Sequence, residues 1–233
     1  RVDRKPPTIM RITNHKSRIT KLILALDVDS LENARHFVNL LSPKIKIFKV
    51  GSQLFTGYGP KIIDFIHKKG GEVFLDLKFH DIPNTVANAV SQACRLKVKM
   101  LTLHISGGAE MLRAAVQAAK GIKHNRPFLI GVTVLTSQEA GRDEVLRLAM
   151  LGLACGLDGV VCSAQEVEFL REKLGKDFVI VTPGIRPKEK SADDQKRVAT
   201  AQEAIAAGSS FLVVGRPILE AQDPLKALKE IWE

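Results

Sequence analysis

The chain has 233 residues, 45% of them hydrophobic and 26% charged, a balance ordinary for a soluble globular protein. No apolar run reaches the roughly 18 residues that a membrane span needs. The net charge of +10 raises nucleic acid as a partner, but its distribution argues otherwise: residues 1–21 hold seven Lys/Arg against the single acid Asp3, and the other 212 residues carry only +4.

Residues 1–20 read as a basic N-terminal extension ahead of one domain spanning 21–233. The first apolar stretch, 22–26, is too short for a secretory leader. From there apolar runs of strand length alternate with segments of 3.6-residue periodicity. The pattern predicts strands over 22–27, 45–50, 72–77, 100–104, 128–134, 159–162, 178–181 and 211–214. It predicts helices over 31–41, 61–69, 86–96, 109–122, 139–154, 164–174 and 200–207, with 224–232 closing the chain. Ser30 is placed to cap the first helix, and Ser163 with Glu166 reads as a capping box. Eight strands alternating with eight helices over some 210 residues predict an α/β fold, a (β/α)8 TIM barrel in a single domain; a doubly wound open sheet is the competing arrangement. The three cysteines, Cys94, Cys155 and Cys162, lie in apolar contexts without metal-ligand spacing, as buried thiols of a reducing compartment do.

In such barrels chemistry sits at the C-terminal ends of the strands. That rule selects Asp27, Lys49, Asp76, Lys78, His104, Thr136, Arg186 and the pair Gly215-Arg216. The run Asp76-Leu77-Lys78-Phe79-His80-Asp81 is the most telling, because charges at the end of a buried strand are costly unless they pair or react. If strand geometry continues to Lys78, Asp76 and Lys78 project to one side. A lysine between two aspartates stays protonated, since each carboxylate favours its charged form. Lys49 extends the set to an alternation Lys–Asp–Lys–Asp in which each charge offsets its neighbour's desolvation. Asp27 could accept hydrogen bonds from sugar hydroxyls. After the eighth strand, Gly215 permits close backbone approach to a phosphate and Arg216 offers a bidentate fork, with Pro217 suited to the first turn of a short helix. The polar loop from Arg186 to Gln195 has the length of a lid. His80 and His104 beside Asp76 do not make a metal set, because Lys49 and Lys78 would repel a cation.

These residues resemble a known family. Ala25-Leu26-Asp27, Phe48-Lys49-Val50-Gly51, the Asp76–Thr85 run, Thr182-Pro183-Gly184-Ile185-Arg186-Pro187 and Gly215-Arg216-Pro217 occur in the order seen in bacterial orotidine 5'-phosphate decarboxylases. The resemblance covers residues 22 to about 224. It implies decarboxylation of orotidine 5'-monophosphate to UMP, the last step of de novo pyrimidine synthesis, with no cofactor and no metal, in the cytoplasm. Lys78 is then the proton donor to C6 and Asp76 lies beside the substrate carboxylate, with Lys49 and Asp81 completing the network. The protein is expected to be a homodimer in which Asp81 and Thr85 reach the partner's site, without nucleic acid or membrane partners. Asp27 and Lys49 are expected at the ribose, Thr136 at the pyrimidine, and Gln195, Gly215 and Arg216 at the phosphate, with Arg186 in the lid. Two other readings stand beside it. One is a Mg²⁺-dependent sugar-phosphate decarboxylase or aldolase of the same superfamily, which carries a glutamate at the position of Lys49. The other is a non-catalytic phosphate- or polyanion-binding barrel.

Overall fold

The computed structural model describes residues 21–122, 126–135, 141–187 and 198–232. Eight parallel strands close into a barrel in sequence order: β1 (Leu22–Ala25), β2 (Ile47–Gly51), β3 (Glu72–Phe79), β4 (Met100–His104), β5 (Phe128–Val132), β6 (Gly159–Val161), β7 (Val179–Thr182) and β8 (Phe211–Val214). β1 pairs with β8 through Leu22↔Leu212 and Leu24↔Val214, which leaves no open edge. The helices are α1 (Leu31–Leu41), α2 (Ser52–Tyr58), α3 (Lys61–Lys68), α4 (Pro83–Arg95), α5 (Gly108–Lys120), α6 (Arg142–Ala154), α7 (Ala164–Leu174), α8 (Ala201–Ala207), α9 (Arg216–Leu219) and α10 (Pro224–Glu230). The closed barrel excludes the open sheet.

Most predicted elements appear within a few residues of their expected bounds, and the differences have local causes. α4 starts at Pro83 rather than residue 86, because proline's fixed φ and missing N–H suit a helix's first turn. α2 was not expected: with Leu54 as its sole buried residue, it has no apolar period to read. α1 and α7 match their predicted bounds, and both expected caps form: Ser30 accepts from Asn33 N–H, and Ser163 and Glu166 close their box. Residues 1–20 lie outside the described residues.

Strand alternation divides the core in two. Leu22, Leu24, Phe48, Val73, Leu75, Leu101, Leu103, Leu129, Val160, Ile180 and Leu212 pack outward against the helices. Ile23, Ala25, Ile47, Phe74, Met100, Ile130, Val181 and Val213 form a separate cluster that plugs the barrel. β6 approaches β7 so closely that a Cβ at Gly159 would meet the Val179 carbonyl oxygen at 2.1 Å, so only glycine fits there. The N-terminal face is clamped by two arginines. Arg126 makes two bonds to Asp158 (2.8 and 2.6 Å), and Asp158 also accepts the Leu129 N–H. Arg171 stacks 4.5 Å over Phe178 and donates to the Phe178 and Gly208 carbonyls and to Ser210 Oγ.

Candidate active site

Two residues beyond the apolar plug, along each strand, lies the next inward position. From Ala25, Ile47, Phe74 and Met100 this step reaches Asp27, Lys49, Asp76 and Thr102. From Ile130, Val181 and Val213 it reaches Val132, Pro183 and Gly215. These residues, with the exception of Thr102, line one cavity of about 500 Å³ at the C-terminal mouth, together with Lys78, Val161, Arg186, Arg216 and Glu220.

The charges form a continuous chain. Lys49 Nζ stands 2.9 Å from Asp27 Oδ1 and 3.4 Å from Asp76 Oδ2, and Lys78 Nζ donates to both Asp76 oxygens at 3.0 Å. Lys49 and Asp76 have side chains only 12% exposed, whereas that of Asp27 is 54% exposed. Burial alone would push the Asp76 carboxyl up, but the two ammonium groups and the bonds from Lys78 and Thr102 outweigh it and hold it below its ordinary range. Burial likewise disfavours the Lys49 ammonium, and Asp76 and Asp27 together overcome it, so its value is raised. Asp76 and Lys49, the two inner members, therefore both carry their charge at neutral pH.

Gly51 gives this chain room: a Cβ there would come to 3.3 Å from Lys49 Nζ and 3.4 Å from Asp27 Oδ1.

Asp76 and Lys78 do meet on one side of the strand, though not by simple alternation. Leu75 pairs with Leu101 and Phe79 with Leu103, so Asp76, Leu77 and Lys78 all face the single residue Thr102. This bulge carries Lys78 into the left-handed region at φ 49°, a conformation that costs a non-glycine residue about 1–3 kcal/mol. The Lys78 N–H donates to Thr102 Oγ1 at 2.9 Å, and that hydroxyl donates to Asp76 Oδ1 at 2.9 Å.

The expected Lys–Asp–Lys–Asp alternation includes Asp81, which was expected to act from a partner subunit. Within a single chain the sequence of charges is Asp27–Lys49–Asp76–Lys78, and Asp81 is not part of it. The Asp81 carboxylate instead accepts the Ile82 N–H on an exposed loop, because the segment after Phe79 leaves the barrel to enter α4. Thr85 is exposed in the first turn of α4, and Ile82 between them is 66% exposed.

Arg186, expected in a lid, is buried in the cavity wall, with its N–H donating to the Ala199 carbonyl at 3.0 Å where Ile185 and Ala199 form a parallel bridge. Gly215 caps the single-turn α9, which starts at Arg216. Thr136, Gln195 and the remainder of the loop after Pro187 fall outside the described residues.

His80 and His104 lie with ring centroids 5.3 Å apart, and burial, with His80 and Lys78 nearby, holds His104 below its usual value despite Asp76. Among the described residues no group of three or more His, Cys, Asp or Glu side chains is arranged to hold a metal ion. The cysteines are buried free thiols, and burial pushes Cys162 far up. No helix among the described residues is long and apolar enough to cross a membrane.

Two contributors had not been foreseen. Thr102 was hidden within an apolar strand, where a lone hydroxyl between Leu101 and Leu103 was the available signal. Glu220 enters the cavity rim through the fold of α9, and nothing in its neighbourhood in the sequence marks it.

Residues 20–231 match the family model described as the orotidine 5'-phosphate decarboxylase / HUMPS family. The chain is 50% identical over 228 residues to an orotidine 5'-phosphate decarboxylase of Syntrophotalea carbinolica, covering 91% of this chain and 93% of the relative. It is 49% identical over 222 residues to that of Vibrio cholerae, covering 91% and 96%. Among solved structures, the orotidine 5'-phosphate decarboxylase of Lactobacillus acidophilus superimposes with a TM-score of 0.79 at 36% identity, covering 91% of this chain and 97% of that one.

Proposed function

The chain belongs to the orotidine 5'-phosphate decarboxylase / HUMPS family, and from that premise we propose that it converts orotidine 5'-monophosphate to UMP by fixed charge alone. The observation that carries the reading is the ion-paired chain Asp27–Lys49–Asp76–Lys78 at the mouth of the barrel, its two central members largely buried.

The chemistry follows from where charge moves. When the C6–carboxylate bond breaks, carbon dioxide departs and the electron pair stays on C6, a ring carbon with no adjacent electron sink. The Lys78 ammonium stabilises that pair more than it stabilises the delocalised charge of the bound substrate, and such differential stabilisation lowers the barrel's activation free energy for the step. The Nζ proton then passes to C6, giving UMP and a neutral amine that is reprotonated from solvent. Asp76 serves twice: it anchors the two lysines and stands beside the departing carboxylate. Lys49 and Asp27 meet the ribose hydroxyls. Gly215 and Arg216 take the phosphate, joined by Gln195, and Thr136 adjoins the base. Binding energy from the phosphate, remote from C6, is spent on holding the substrate in its reactive position.

The working form is a homodimer in which Asp81 and Thr85 complete the partner's site. This assignment is supported by the exposed carboxylate of Asp81, which meets no cation of its own chain among the described residues, and by the exposed Ile82 beside it. Mixing Lys78→Ala with Asp81→Asn protein should restore roughly a quarter of normal activity, because half the random dimers contain one site built from two intact contributions. A cytoplasmic setting suits the three free thiols.

The Mg²⁺-dependent branch of the family is disfavoured by Lys49, whose ammonium stands 3.4 Å from Asp76, where a cation would need a carboxylate. The deciding measurement is the absorbance change as purified protein turns over orotidine 5'-monophosphate, with and without excess EDTA. Equal rates are expected; a rate abolished by EDTA and restored by Mg²⁺ would transfer the chain to the other branch.

A further inference from the structure

We propose that Thr102 is a positioning residue for the decarboxylation, its hydroxyl setting where the Lys78 ammonium and the Asp76 carboxylate stand relative to each other. The inference rests on the reading above of Lys78 as proton donor.

The geometry leaves this hydroxyl little freedom. Thr102 is 1% exposed on β4, and three residues of β3 arch over it. A bulge of that kind removes ladder hydrogen bonds and leaves backbone groups without partners. The Lys78 N–H is one such group, and it finds Thr102 Oγ1 at 2.9 Å. A threonine hydroxyl has one proton to give and lone pairs to accept with. Having accepted from Lys78, it gives its proton to Asp76 Oδ1 at 2.9 Å, which calls for an unprotonated oxygen there. One atom thereby ties the backbone of the lysine to the side chain of the aspartate, while Lys78 Nζ closes the ring on both Asp76 oxygens at 3.0 Å.

Two consequences follow. Lys78 stays in its left-handed conformation because the peptide it presents there is bonded, and that conformation turns its side chain back over Asp76. Asp76 has the hydroxyl as a neutral donor beside its two cationic ones. The groups facing it are Lys49 on β2, Lys78 on β3 and Thr102 on β4, with Asp27 beyond Lys49 and His104 and His80 on the Lys78 side. Removing the hydroxyl removes the neutral member and leaves the charged ones in place.

The test is Thr102→Val, which conserves shape and deletes the hydroxyl, compared with Thr102→Ser, which keeps it. The single-turnover rate of bound orotidine 5'-monophosphate is read, so that slow product release hides nothing. Thr102→Val should slow that step about ten- to a hundredfold, the size expected for one hydrogen bond to a charged group, with KM little changed. The acid limb of its pH–rate profile should move to higher pH, because Asp76 loses a donor that favours its ionised form. Thr102→Ser should recover most of the rate and return the limb. A purely structural threonine predicts a lower Tm in Thr102→Val with an unmoved acid limb, and that result overturns the proposal, as does a serine variant no better than valine. If the valine variant does not fold, Thr102→Cys, similar in size and a weak donor, carries the same comparison. A wild-type protein that does not turn over the nucleotide sinks the proposed function; an active wild type with an unimpaired Thr102→Val sinks the role of Thr102 alone.

Discussion

The two halves of the barrel mouth are built from the same strand pattern and do different work. β1 to β4 place Asp27, Lys49, Asp76, Lys78 and Thr102 above the plug; β5 to β8 place Val132, Val161, Pro183 and Gly215 at comparable positions. The first half has four charges, each within hydrogen-bonding or ion-pairing reach of the next, and the second half is a largely apolar wall at the strand ends, with Arg186, Arg216 and Glu220 contributed by the segments after β7 and β8. The contrast shows how a chain of fixed charges is assembled on one side of a barrel mouth. In the charged half each group is held by an opposite charge next to it, with Lys49 and Asp76 at the sheltered centre, and the facing half brings few charges near them.

Breaking the charged half at its reactive end should have the largest effect. Lys78→Ala deletes both the stabilising charge and the proton source, and turnover should fall by several orders of magnitude while circular dichroism stays that of the wild type; near-normal turnover would remove Lys78 from the mechanism.

Next in size is Asp76→Asn, which leaves Lys49 and Lys78 without their common anion. A broken buried pair costs about 3 kcal/mol at neutral pH, visible in urea unfolding. The sign with pH follows from the lowered value of Asp76 in the folded protein. Its contribution is fully present above its ordinary 3.8 and is lost as pH falls from there toward the folded value. The stability gap between wild type and variant should therefore narrow in acid below that point; a gap that persists unchanged would mean that Asp76 is not ionised in the fold.

Arg216→Ala probes the other half. The loss should appear as a kcat/KM lower by about ten- to a hundredfold, carried mainly by KM, and a substrate lacking the phosphate should be indifferent to the change. If Arg216→Ala instead collapsed the single-turnover rate while KM held, the division of labour between the halves would be wrong.

The smallest effect sharpens the charged half from within. Gly51→Ala forces Lys49 Nζ to give by a few tenths of an ångström while the new Cβ touches Asp27 Oδ1, and kcat/KM should drop about fivefold, the equivalent of about 1 kcal/mol. No change would show slack in the Asp27–Lys49 contact.

Much of this was legible in the chain itself because barrel strands impose a period of two and end at a common rim. Asp27, Lys49 and Asp76 could be picked out as polar ends of apolar runs, and each lines the cavity. Lys78 was assigned to the correct side for an incomplete reason: alternation accounts for residues on a regular strand, whereas here a bulge and a left-handed residue bring the side chain round. Asp81 was read into the chain of charges as a contribution to the partner's site; within its own chain the turn into α4 carries it away from Asp76. Arg186 was read as the start of a polar, lid-length loop, and the structure places it buried in the cavity wall, its backbone N–H bonded to the Ala199 carbonyl.

The amino-acid order by itself determined the repeating strand and helix units, the closed α/β architecture they favour and the residue types at the strand ends, because periodicity and local propensity act over neighbours. The tertiary structure alone decided which of those residues touch. The pairing of β3 with β4 set three residues against one, and that mismatch made Thr102 the partner of both Lys78 and Asp76. Register between strands more than twenty residues apart depends on how the whole barrel closes, and no local pattern encodes it.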